Sequence, residues 1–144
     1  MTDHRVVTVH ARGEYDEDLD DWATTAPYEV PDRLMFHWSP VVRRGQITRH
    51  GLCPAMRNTI HSDGWRAPYI CFADSPSWAW GLSGDMGWAP VGEWDLWQTW
   101  LSDLGPDITV IPDDTRQSGM YEIRTPARVF KRNLWHVGTR TKAA

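Results

Sequence analysis

Hydrophobic and polar residues alternate along the first third of the chain in a way that predicts strands joined by a short capped helix. Residues 5–12, RVVTVHAR, have the β-branched character of a strand, and the acidic run EYDEDLDDW after them predicts a solvated loop or hairpin arm. The segment RLMFHWSP predicts a strand from about Arg33 to Trp38. Ser39 and Pro40 then form the cap-and-proline pair that begins a helix, and Gly51 is a plausible end for it.

The pattern of strand and capped helix is repeated once, and further strands follow. PYICFAD predicts a strand, and Ser75 with Pro76 caps the short helix SWAWGLSG. WDLWQTWLSDL fits either a strand or a helix, and its periodicity leaves both open. DITVIPDD, MYEIRTP and LWHVGTR predict three more strands. Helices early and strands late predict an α+β domain with a mainly antiparallel sheet.

The length and composition indicate one folded unit. The chain has 144 residues, of which 41% are hydrophobic and 24% charged, so we predict a single domain over 1–144 in which 1–32 form an N-terminal strand and acidic arm. No stretch approaches the about 18 to 20 apolar residues of a membrane span, and the N-terminus lacks the features of a signal peptide. We therefore expect a cytoplasmic protein with no membrane partner.

Charge and aromatic content narrow the candidate partners. The net charge of −4 gives no general attraction to nucleic acid, although five arginines lie between positions 43 and 66. Ten tryptophans are far above average usage. Their large flat rings suit either a core filled with big side chains or a pocket for a planar ligand.

Common catalytic and metal-binding motifs are absent from the sequence. There is no GxGxxG, GxxxxGK[ST], HExxH or GxSxG. The six histidines are irregularly spaced, and Cys53 and Cys71 are too few for a cysteine cage, so no metal site is predicted. Asp16, Asp18 and Asp20 imitate the start of a calcium loop, but the glycine and glutamate that such a loop needs are missing.

Three segments in a fixed order carry a family resemblance over about residues 33–140. They are LMFHWSPVVRRGQITRHGLCP, PYICFADSPSWAWG and YEIRTPARVFKRNLWHVG. Together they resemble the ADP-ribosyltransferase-like superfamily, and the last is similar to the end of the DarT-type DNA ADP-ribosyltransferases. The resemblance implies a split, mainly antiparallel β-sheet with short helices that holds NAD in a central cleft. Trp38 and Ser39 replace the small residue and threonine common after the histidine of that family.

The activity implied by the resemblance is transfer of ADP-ribose from NAD, used as a substrate, to a protein or nucleic-acid acceptor, with release of nicotinamide. Breaking the bond between nicotinamide and ribose builds positive charge on the sugar, which a nearby carboxylate stabilises. Glu122 is the candidate for this catalytic role, with Arg124, Arg43 or Arg66 as its cationic partner.

The resemblance also assigns residues to the binding of NAD. His37 would hydrogen-bond the ribose on the nicotinamide side, and Tyr69 would stack on nicotinamide. Trp78, or alternatively Trp38 or Trp80, would close the other side of the ring. Ser39 and Arg43 complete the predicted binding residues.

Two other functions are consistent with the same sequence. One is a member of this fold that binds without turnover, and the other is a tryptophan-rich sheet that recognises single-stranded nucleic acid or sugar by stacking. The small size of the chain is typical of an effector, such as a toxin of a small genetic module or a phage-encoded factor.

Overall fold

The structure is a computed structural model, and it describes residues 5–54, 60–61, 64–65, 69–112 and 122–144. Within these residues six strands form the larger sheet: β1 (Val6–Asp16), β2 (Asp21–Thr24), β3 (Tyr28–Pro31), β7 (Ile70–Phe72), β9 (Thr109–Ile111) and β10 (Glu122–Thr125). Their order is β2-β1-β9-β10-β7, and β3 also pairs with β1. Only the β1–β9 pair is parallel among the described pairs of this sheet.

Three long antiparallel strands form a smaller sheet in the order β11-β8-β4. They are β4 (Leu34–Pro40), β8 (Gly92–Trp100) and β11 (Trp135–Lys142). A separate short pair consists of β5 (Ile60–His61) and β6 (Gly64–Trp65). Few and short helices with mostly antiparallel sheets confirm the predicted α+β class.

Two helices follow β4 and β7, as the sequence predicts. α1 (Arg44–His50) is preceded by a 3-10 turn at Val41–Arg43 and ends at Gly51, whose φ of 77° is the left-handed conformation that glycine adopts readily. α2 (Pro76–Gly81) begins after Ser75, whose hydroxyl accepts a hydrogen bond from the Trp78 N–H. The prediction that Ser39 caps α1 is wrong. Ser39 and Pro40 continue β4, because both pair with β8.

The segment that periodicity left undecided is a strand with a short turn after it. Residues 92–100 form β8, and Leu101–Asp103 form a 3-10 turn. The acidic run is predicted to be a loop or a hairpin arm, and it forms the hairpin arm between β1 and β2. None of the helices in the described part of the chain has the length and apolar character that crossing a membrane requires.

Buried side chains form two clusters on opposite faces of the smaller sheet. The first core joins both sheets and includes Val9, Met35, Phe72, Trp97, Leu104, Val110 and Ile123. The second core lies against α2 and contains Trp38, Ala73, Ala79, Trp80, Ala89, Trp94 and Leu96. Successive residues of β4 and β8 therefore face different cores, as the twofold period of a strand requires.

The two sheets meet where β4 passes β7. Phe36 and Ala73 exchange backbone hydrogen bonds of 2.7 and 3.1 Å in an isolated antiparallel bridge. Phe72 directly precedes Ala73 in the chain, and Cys71 precedes Phe72. The candidate site begins at Cys71.

Candidate functional site

A cluster of polar side chains lies on the face of the larger sheet that points away from the first core. Cys71 and Arg124 are cross-strand partners, and Glu122 lies on the same face as Arg124 because it is two residues away on β10. Arg124 Nε donates to Glu122 Oε2 at 2.5 Å, and Cys71 Sγ donates to the same oxygen at 2.9 Å. Glu122 is only 7% exposed, so these contacts compensate for its burial.

Tyr69 joins this cluster through Arg124. The guanidinium carbon of Arg124 lies 4.3 Å from the centre of the Tyr69 ring, within the range of a cation–π contact. Burial raises the pKa of Tyr69 and that of the Cys71 thiol, and the charge of Glu122 raises the thiol pKa further. Both groups are therefore neutral donors at physiological pH.

His37 reaches the same segment of β7 from the other sheet. Its Nδ1 lies 2.8 Å from the carbonyl oxygen of Cys71. A carbonyl can only accept a hydrogen bond, so Nδ1 carries the proton and Nε2 is the acceptor nitrogen of a neutral ring. Burial, together with the charge of Arg43, lowers the pKa of His37 to about 4 despite the hydrogen bond to Cys71.

The imidazole of His37 and the carboxylate of Glu122 are thus linked through one residue but approach it from different directions. The ring of His37 lies 5.4 Å from that of Phe72, which belongs to the first core. Glu122 contacts the thiol of Cys71 on the opposite face of β7. The structure brings the two groups to the same strand segment, with His37 at its edge and Glu122 on its outer face.

A second polar group surrounds Asp95 on the smaller sheet. Ser39 and Thr139 pair with Asp95 from either side, and His37 and His136 pair in the same way with Trp97. Asp95 and Trp97 share one face of β8 because they are two residues apart. His37 and Ser39 therefore share a sheet face with this group.

Asp95 is fully buried and accepts hydrogen bonds from three side chains. Arg44 donates through Nε and Nη2 at 2.8 and 2.7 Å, His136 Nε2 lies at 2.8 Å, and Thr139 Oγ1 lies at 3.1 Å. Burial alone would raise the pKa of Asp95, but the hydrogen bonds from Arg44, Thr139 and His136 together lower it. The aspartate is therefore an anion that orients an arginine and a histidine.

Most of the predicted site residues lie along one path through the fold. Tyr69, Glu122 and His37 are joined through Arg124 and Cys71, and the charge of Arg43 acts on His37.

Trp78, in contrast, packs against the second core, on the face of β4 opposite His37. Trp38 and Trp80 belong to that core too, so the structure does not bring these three tryptophans to the cluster. Arg66 lies outside the described residues.

Three residues of these groups were not foreseen as functional. The sequence predicts no functional role for Cys71, Asp95 or His136. The signal for Cys71 was its position two residues after Tyr69, which places both on one strand face. Asp95 and His136 come together through strand register, which no local pattern specifies.

Comparison of the chain with protein-family models, curated proteins and solved structures finds no match.

Proposed function

We propose that the protein is an NAD-dependent ADP-ribosyltransferase that releases nicotinamide and transfers ADP-ribose to a macromolecular acceptor. The observation that carries the proposal is the double role of Cys71, whose carbonyl fixes His37 and whose thiol contacts Glu122. The predicted imidazole and carboxylate, which are 85 positions apart in the chain, both contact this one residue, and this supports the proposal. The single bridge that joins the two sheets near this point is consistent with the split sheet that the resemblance implies.

The state of His37 suits recognition of a ribose. A neutral ring with its proton on Nδ1 has a hydrogen-bond acceptor at Nε2. A ribose hydroxyl could donate a hydrogen bond to that nitrogen. A charged imidazole would instead repel the nicotinamide cation and the positive charge that forms on the sugar. The low pKa of His37 therefore fits a binding role and not proton transfer.

Glu122 would stabilise the developing charge on the ribose. Its oxygens accept from Arg124 at 2.5 and 3.4 Å and from Cys71, which keeps the carboxylate fixed in one orientation. A fixed anion needs little reorganisation when charge appears nearby, and this is the source of its catalytic effect. Tyr69, stacked on Arg124, would offer its other ring face to nicotinamide.

The test is Glu122→Gln, which removes the charge and keeps the shape. The variant should bind NAD as the unchanged chain does, while nicotinamide release falls about 10²–10³-fold. Isothermal titration with NAD and a nicotinamide-release assay measure the two effects separately.

Glu29→Gln is the matched control, because Glu29 is an exposed strand glutamate on β3. It should leave both measurements unchanged. NAD binding without any nicotinamide release by the unchanged chain would replace the enzyme with a binding module of the same fold. Absence of NAD binding would reject the proposal altogether.

A further inference from the structure

The pair formed by His136 and Asp95 has the geometry of a proton-transfer site. Asp95 is 0% exposed, whereas the side chain of His136 is 40% exposed, and they are joined by a hydrogen bond of 2.8 Å at Nε2. A carboxylate can only accept, so Nε2 carries the proton and the other ring nitrogen, Nδ1, is the one able to take up a proton. A buried carboxylate that fixes the tautomer of a histidine is a recurring arrangement for a general base.

A bulge in β11 produces this arrangement. The register with β8 shifts between His136 and Gly138, so that His136 opposes Trp97 and Thr139 opposes Asp95. Without the extra residue, His136 and Thr139 would face opposite sides of the sheet, because they are an odd number of residues apart. Instead, both contact the same carboxylate oxygen.

The ring of His136 is held in place from a second direction. It lies 5.3 Å from the ring of Trp97, which is 5% exposed. His37 pairs with Trp97 from the opposite side, so the two histidines lie in one row across three strands of the sheet. Strands are about 4.8 Å apart, which places the two backbones about 10 Å from each other.

We propose that His136, oriented by Asp95, is the general base that removes the proton from the acceptor nucleophile. The inference rests on the proposed function. In the step, the acceptor oxygen or nitrogen forms a bond to C1 of the ribose, and its proton passes to Nδ1 of His136. The bond from that carbon to nicotinamide breaks, and nicotinamide leaves with the electron pair, so charge and atoms balance.

Glu122 is less suited to this task. Both of its oxygens already accept hydrogen bonds from Arg124, and it is nearly buried. His136 is open to a large acceptor. The charged groups facing it in the described structure are Asp95 on β8 and, beyond that carboxylate, Arg44 on α1.

The experiment compares two nucleophiles in the His136→Gln variant. Water must lose a proton when it attacks the ribose, whereas azide is an anion with no proton to lose. Nicotinamide release with water as the acceptor should fall about 10²-fold in the variant. Release with azide as the acceptor should stay close to that of the unchanged chain, and the pH dependence seen with water should flatten.

The matched control is His10→Gln, since His10 is also a strand histidine with one ring nitrogen bonded, to the carbonyl of Thr25 at 3.1 Å. It should behave as the unchanged chain with both nucleophiles. A glutamine at 136 can still donate to Asp95, and an unchanged urea midpoint would verify that the fold is kept.

Equal losses with water and azide would make His136 a purely structural residue and overturn the assignment. Full activity with water would overturn it as well. Failure of the proposed function looks different, because the unchanged chain would then release no nicotinamide with either nucleophile.

Discussion

At the scale of single residues, Cys71 explains why two distant side chains have fixed states. The carbonyl of Cys71 accepts a hydrogen bond from Nδ1 of His37. If the pairing of β4 with β7 continued beyond the bridge between Phe36 and Ala73, a backbone N–H of β4 would donate to that carbonyl instead. The imidazole therefore lies beside the point where β4 and β7 stop pairing. The thiol of Cys71 remains protonated because burial and the charge of Glu122 raise its pKa. The thiol therefore serves as a hydrogen-bond donor and not as a nucleophile.

The neutral state of His37 predicts a particular dependence of stability on pH. Its pKa is lowered to about 4 in the folded chain from an ordinary value of 6.5, so the unfolded chain binds more protons between these values. Stability from the neutral ring is complete above the ordinary value and is lost as pH falls toward about 4. His37→Gln should reduce the loss of stability between pH 7 and pH 4.5 by about 2 kcal/mol, measured by urea unfolding at each pH.

His10→Gln serves again as the comparison, since it removes one histidine from another strand. The change in pH dependence caused by His37→Gln should be the larger of the two. A pH dependence of His37→Gln identical to that of the unchanged chain would mean that folding does not lower the pKa of the ring.

Individual site residues could be foreseen only where their own strand carried the signal. Glu122 and Arg124 alternate with Ile123 and Thr125, so their shared face followed from the sequence. The partner of Glu122 on the neighbouring strand did not, because Cys71 meets it through the pairing of β7 with β10. The sequence predicts Trp78 in the cleft, but in the structure this residue of α2 packs against the second core.

At the scale of elements, an ion pair between the exposed Arg44 of α1 and the buried Asp95 of β8 attaches the helix to the smaller sheet. Arg44, the first residue of the helix, forms two hydrogen bonds to Asp95. Such a bidentate contact fixes orientation as well as position. Arg44 and the adjacent Arg43 are thereby held at the end of β4, near His37 and Ser39.

Removing this contact should weaken the fold measurably. Arg44→Met leaves the buried carboxylate of Asp95 with His136 and Thr139 as its remaining partners among the described residues, and should lower the free energy of unfolding by more than the control below. Urea denaturation followed by circular dichroism measures the change.

Arg49→Met is the matched control on the same helix, because the described hydrogen bond of Arg49 is to the nearby carbonyl of Gly45, within the helix itself. Its effect should stay within about 0.5 kcal/mol. Equal effects of the two variants would show that the contact with Asp95 contributes nothing.

Element types were easier to predict than the exact ends of elements. Ser75 and Pro76 correctly predict the start of α2. The same pair of residue types at Ser39 and Pro40 does not begin a helix, because both residues pair with β8 and so extend β4. Pairing between strands also makes residues 92–100 a strand, although their apolar pattern fits the period of a helix as well as that of a strand. Tertiary contacts thus overruled local propensity in both places.

At the scale of the whole molecule, the tryptophans divide between core and surface. Trp38, Trp80 and Trp94 meet edge to face in the second core, with ring centres 5.4 and 5.5 Å apart. Others are largely exposed, namely Trp22, Trp88, Trp100 and Trp135. The expectation that big rings fill a small core is therefore met for part of the set.

The two cores are linked through shared strands, and this predicts cooperative unfolding. β4 contributes Met35 to the first core and Trp38 to the second, and β8 contributes Trp97 and Leu96 in the same way. Losing the first core should therefore release the second. Leu104→Ala, at a residue that is 0% exposed in the first core, should cost about 2–4 kcal/mol. Urea unfolding followed by tryptophan fluorescence and by circular dichroism should shift together to one lower midpoint.

Leu19→Ala makes the same chemical change at a side chain that is 76% exposed, on the arm between β1 and β2, and should move the midpoint very little. The decisive comparison is between the two probes in Leu104→Ala. The second core is rich in tryptophan, so a fluorescence transition that stayed in place while circular dichroism moved would mean that this core survives alone. Coincident transitions would instead show that shared strands make the two cores a single cooperative unit.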